Sequence, residues 1–158
     1  MKKVVINLVL IGLLFVTGCT PVAEEGKYKE GTYYGYVEDT KDGVVTITSA
    51  VVYVNEKGMI KSVFIDSTYN KDNKNTTKKA LGDAYGMKAT SANLGVIPGG
   101  AEWDEQVSKF EEKIVEEQGL EWLVWSNTEE TKTDSVSGVT ITVSSYYKAV
   151  DNALAQAK

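Results

Sequence analysis

At 158 residues the chain is the size of one domain, and 42% hydrophobic with 25% charged residues is a globular composition. It has no His, one Cys and no Arg, all 17 basic residues being Lys. That excludes a Ser-His-Asp or Cys-His hydrolase, an internal disulfide or Cys-based metal site, and guanidinium clamps on phosphate. A metal site would need carboxylates alone. The net charge of −5, which becomes −7 if Lys2 and Lys3 leave with a signal peptide, argues against nucleic acid as a partner.

The amino terminus has the cationic start Met1-Lys2-Lys3 and an apolar run from Val4 to Val16, broken by Asn7 and Gly12. This run falls short of the ~20 apolar residues of a membrane-spanning helix and suits a secretory signal. Val16-Thr17-Gly18-Cys19 follows and resembles the bacterial lipobox, in which the Cys is lipidated and becomes the first mature residue. Residues 1–18 therefore read as a lipoprotein signal peptide. Residues 19–30 read as lipidated Cys19 and a polar tether, and 31–158 as the folded domain. Lipid on Cys19 places the expected location on the extracytoplasmic face of a bacterial membrane.

Thr32–Val37, Val44–Val54 and Met59–Thr68 are β-prone runs separated by Asp39-Thr40-Lys41-Asp42-Gly43 and Asn55-Glu56-Lys57-Gly58. They predict an antiparallel meander. The polar stretch Tyr69–Asn75 predicts an exposed loop. Thr76 or Thr77 is placed to cap a short helix from Lys78 to about Tyr85, with Gly86 as its stop. Ala89–Gly100 lacks periodicity and predicts a connecting loop. Glu102–Gln118 predicts a helix, with Trp103, Val107, Phe110 and Ile114 forming one apolar stripe suited to core packing. Leu120–Trp125 predicts a late strand and Asn127–Thr133 a polar loop. Ser144 or Ser145 is the expected cap of a last helix carrying Tyr147, Val150 and Leu154. The fold class is α+β: an antiparallel meander followed by helices.

One stretch looks built for chemistry: Asp134-Ser135-Val136-Ser137-Gly138-Val139-Thr140, just before the last helix. Small residues around hydroxyls leave them approachable, although spacing alone favours an ordinary Ser/Gly turn. Lying near a helix N-terminus, the stretch suits a phosphate, and without Arg the expected phosphate partners are backbone N–H groups.

These residues, followed by Ile141-Thr142 and a helix, resemble the flavinylation motif of FMN-binding domains: Asp, two variable residues, Ser or Thr, Gly, Ala, Thr. Such domains occur in the C subunit of the sodium-pumping NADH:quinone reductase, in the G subunit of the related ferredoxin-oxidising complex and in surface lipoproteins of extracellular electron transfer. The resemblance runs from about Tyr28 to Lys158, and Tyr85-Gly86-Met87-Lys88 and Glu102-Trp103 look most like the lipoprotein branch.

It implies that a flavin transferase, using FAD and Mg²⁺, places FMN on Thr140 through a phosphoester, with AMP leaving. Asp134, Ser137 and Gly138 would then be recognition and access residues, and Tyr85, Met87 and Trp103 would pack the flavin ring. No residue of the chain itself would be catalytic, and the implied role is an electron carrier outside the membrane, fed by a redox donor such as a quinone-linked flavoprotein. A reductase acting on its own substrate would need a partner domain, and a lipid-anchored binding module without flavin is the alternative. Val139 stands where the pattern has Ala, and its branched side chain is expected to crowd the acceptor.

Overall fold

The computed structural model describes residues 25–158; the expected signal peptide, residues 1–18, and Cys19 lie outside the described residues. Four antiparallel strands, β1 (Gly31–Lys41), β2 (Val44–Val54), β3 (Ile60–Lys71) and β4 (Lys74–Thr77), are paired in sequence order. They are followed by α1 (Lys78–Leu81) with a 3₁₀ turn at Gly82–Tyr85, then α2 (Lys88–Asn93), α3 (Trp103–Glu117) and α4 (Ser144–Leu154).

The expected α+β meander is present, and its turns follow from local chemistry. Asp42 (φ 52°) and Gly43 (φ 78°) both lie in the left-handed region and join Lys41 to its partner Val44. Two positive φ values in a two-residue loop match the right-handed twist of the strands. The same device at Asp72 (φ 52°) and Asn73 (φ 62°) joins β3 to β4. Tyr69–Asn75 is therefore a hairpin and not the exposed loop its polarity predicts. Asn and Asp tolerate the left-handed conformation, and here that tolerance decides the structure.

Period-two alternation buries one face of the sheet. The register sets Tyr33, Val52 and Val63 in one inward row, Gly35, Ala50 and Ile65 in the next, and Val37, Thr48 and Ser67 in a third. The hydroxyls of Thr48 and Ser67 satisfy each other at 2.8 Å in the interior. Helix α4 lies over β1 and β2, and α3 over β3. The row of small residues sets how close α4 comes: a Cβ on Gly35 would fall inside contact distance of the backbone of Ala149 and Ala153. Gly35→Ala is expected to cost ~3 kcal/mol, because backbone rather than a flexible side chain must move. Urea unfolding checks it; a cost under ~1 kcal/mol would mean that α4 is not seated as described.

Helix α3 carries Trp103, Val107, Phe110 and Ile114 on its buried face as expected, with Gln106 and Glu111 also buried. Its start is a capping box between Glu102 and Glu105, and its end is Gln118 in the left-handed conformation. Two side chains of this segment also cover the free edge of β3. Glu111 accepts from the Ile65 N–H while paired with Lys79, and Gln118 both accepts from and donates to the backbone of Ile60.

Three further expectations are corrected. Residues 88–93, expected within or beside a structureless connection, form α2 without an apolar stripe. The Glu102 carboxylate, distant in sequence, takes the N–H groups of Met87 and Lys88 at 2.8 and 3.0 Å and so supplies the N-terminal acceptor. Leu120–Trp125 is not a strand; it folds as turns, with Trp122 donating to the Gly119 carbonyl and packing edge-on against Phe110, and only Trp125 bridging to Thr133. Residues 26–29, expected within a polar tether, join the folded domain: Gly26, Tyr28 and Lys29 donate backbone hydrogen bonds to Lys57, Gly58 and Ala157, and Tyr28 is in the core. No helix among the described residues is long and apolar enough to cross a membrane.

Candidate functional site

The stretch from Asp134 to Thr140 is held by alternating inward and outward residues. Val136, Val139 and Val143 are buried and fix the loop to the core between α3 and α4. Its upstream end is tied by Thr133, whose hydroxyl donates to the Val124 carbonyl at 2.7 Å and accepts from the Ser135 N–H at 3.1 Å. Its downstream end is tied by the Val143 N–H to the Thr131 carbonyl at 2.8 Å. Between these anchors Asp134 and Ser137 are exposed, and Ser135, Gly138 and Thr140 are half-buried. Gly138 has φ 77°, a left-handed conformation that a side chain would strain.

The outward atoms line an open cleft of roughly 410 Å³, bounded by Val96, Lys132, Asp134, Ser137, Gly138 and Thr140 among others. The four motif residues singled out from the sequence are thus brought together. Tyr85, Met87 and Trp103 are not part of this lining. Tyr85 packs edge-on to Tyr69, at 5.1 Å between centroids, and Met87 is half-buried against the core. Trp103 is 2% exposed, donates its indole N–H to the Tyr146 hydroxyl at 2.8 Å and meets that ring edge-on. Lys78 lies over both Tyr85 and Trp103, at 5.6 and 5.2 Å from the ring centres. Burial lowers its ammonium below the ordinary lysine range, with Asp66 opposing. Burial likewise raises the Tyr146 phenol, which stays protonated beside the Trp103 indole.

The residues the sequence did not announce come from α3. Gln106 is fully buried, and its Oε1 accepts twice from Thr140: from the backbone N–H at 2.8 Å and from the Oγ–H at 3.2 Å. Its Nε2 faces the Ala101 carbonyl at 3.4 Å. The amide therefore fixes both the backbone and the hydroxyl of Thr140. It also uses the Thr140 N–H, so that donor is not free for a phosphate as the backbone argument expects. One turn along, the Lys109 ammonium lies over Gly138, so near that a Cβ there would overlap it. Lys132 lines the cleft itself, as does one carboxylate, Asp134. Among the described residues no group of three acidic side chains is placed to hold a metal ion.

Val139, expected to crowd the acceptor, lines the cleft beside Thr140 and also packs into the core. It is 6% exposed, and its side chain belongs to the core cluster. Val139→Ala is accordingly expected to lower stability by ~2 kcal/mol through lost burial and the void left behind, while leaving the reactivity of Thr140 within about twofold. Urea unfolding and a time course of modification test the two halves; faster modification with unchanged stability would return the valine to the approach path.

Comparison with protein-family models, curated proteins and solved structures gives no match for this chain.

Proposed function

We propose that the chain is a membrane-anchored flavoprotein of the bacterial cell surface that carries FMN on Thr140 and passes electrons outside the membrane. The observation that carries this reading is the presentation of Thr140. Thr140 is half-buried at an open cleft and its hydroxyl is oriented by a buried amide; Gly138 and Lys132 share the lining, and Lys109 lies against Gly138. A nucleophile aimed by a fixed partner on a rigid helix is what an external modifying enzyme needs to find.

In the modification Thr140 Oγ forms a bond to the FMN phosphorus of FAD, and the P–O bond of the pyrophosphate breaks. AMP leaves with the bridging oxygen, and the Oγ proton passes to a base of the transferase. Gln106 orients Oγ but, being an amide, does not take the proton. The absence of His in the chain is compatible with this, because the base and the Mg²⁺ belong to the transferase. Bound in this way FMN supplies the redox chemistry, while the chain holds the phosphate end rigid. Anchoring through lipid on Cys19 supports a role near a membrane donor such as a quinone-linked flavoprotein.

A lipid-anchored binding module without flavin is the second reading, favoured by Val139 in the cleft lining beside Thr140. The reading is tested by co-producing the chain with a flavin transferase and FAD. One added FMN less one water in the intact mass, with flavin fluorescence that survives denaturation, is expected. A colourless protein of unmodified mass, despite a transferase active on a control substrate, would reject it.

A further inference from the structure

The flavin reading leaves open what neutralises the phosphate next to Thr140. A phosphodiester on Oγ keeps one negative charge beside a buried face of α3, in a chain whose net charge is already −5. Resting on that reading, we propose that Lys109 is the phosphate seat of the site, its ammonium lying over Gly138 to meet the phosphate borne by Thr140. Three observations carry this. Lys109 and Gln106 are one helical turn apart on α3, and Gln106 holds Thr140, so the two side chains reach neighbouring parts of the same loop. The Lys109 ammonium crosses to Gly138 and occupies the space in which any other residue would carry a Cβ. Lys109 makes no ion pair among the described residues; Glu105, one turn back on the same helix, bonds its own capping partner and pairs with Lys88 at 3.6 Å.

The same geometry gives Gly138 a second purpose beyond its left-handed φ: the missing side chain is the slot through which the lysine passes. It also divides the labour between two neighbours. Gln106 aims the hydroxyl before modification, whereas Lys109 acts on the charge that modification creates. A lysine suffices because a half-exposed phosphodiester needs one compact cation rather than a bidentate fork.

The test uses the full chain and its transferase, with Lys109→Met to keep the stem and remove the charge, and Lys109→Arg to restore it. Lys109 is exposed, so these variants should fold. Modification of Lys109→Met is expected to slow about 3-fold to 10-fold, the range for a partly exposed charge interaction, and to recover to within about 2-fold in Lys109→Arg. Slower modification alone could reflect contact with the transferase. The deciding readout is therefore the ³¹P resonance of the finished flavoprotein, native against denatured. The native displacement should shrink by about half or more in Lys109→Met and return in Lys109→Arg. An unchanged ³¹P displacement in Lys109→Met overturns the seat, whatever the rate, and leaves the flavin reading standing. A wild-type chain that never takes flavin overturns both.

Discussion

Thr140→Val, co-produced with a flavin transferase, is expected to emerge folded and without covalent flavin. Valine keeps the shape and the β-branched backbone preference of threonine. It also keeps the Thr140-position N–H, so the 2.8 Å bond to Gln106 Oε1 survives. What is lost is the 3.2 Å bond from the hydroxyl, a cost of ~1 kcal/mol, and the nucleophile itself. The effect on flavin is therefore complete while the effect on stability is small. Neighbouring hydroxyls do not substitute. Ser137 is exposed, with no acceptor to aim it among the described residues, and Ser135 Oγ is held as the acceptor of the Val124 N–H at 3.2 Å. Intact mass and an unfolding curve on the same preparation check both statements. Full-length flavin incorporation in this variant would show that the acceptor is another residue.

Trp103→Ala is expected to cost ~4 kcal/mol, the range for deleting a large aromatic side chain from a packed interior. The indole is 2% exposed and meets Tyr146 edge-on at 5.7 Å. Its N–H bond to the Tyr146 hydroxyl also disappears, leaving that buried phenol unpaired. Trp103→Phe, which keeps most of the apolar area but not the donor, should cost about half as much. Urea unfolding of both variants distinguishes the core role from flavin packing. A cost under ~1 kcal/mol for Trp103→Ala, with an altered flavin spectrum in a chain that folds normally, would return Trp103 to the cofactor.

Much of the architecture was legible where a local rule is strong. The Asp42-Gly43 turn, the three long β-prone runs and the stripe on α3 each follow from neighbours in sequence. The elements misread are those whose cause lies elsewhere. Helix α2 has no apolar stripe and takes its N-terminal acceptor from Glu102, fourteen residues beyond Lys88. The Asp72-Asn73 hairpin was hidden by polarity, although both residues tolerate a left-handed turn. Leu120–Trp125 has strand-like composition, but it is spent on tight turns around the end of α3. At the candidate site, Asp134, Ser137, Gly138 and Thr140 could be singled out because they lie within one seven-residue stretch. Gln106 and Lys109 could not, being more than a turn of reasoning away, on a helix that reads as core. One signal for Gln106 did exist: it falls inside the stripe formed by Trp103, Val107 and Phe110, and a polar residue at a buried helical position demands a partner.

The most direct measurement is tandem mass spectrometry of the tryptic peptide Thr133–Lys148 from protein co-produced with a flavin transferase. Cleavage after Lys132 and Lys148 isolates the whole motif, with competing hydroxyls at Thr133, Ser135, Ser137, Thr142, Ser144, Ser145, Tyr146 and Tyr147. One FMN less one water, localised to Thr140 and to no other hydroxyl, is the predicted result. An unmodified peptide, or an increment on Ser137 or Thr142, would contradict the assignment of Thr140 as the flavin acceptor.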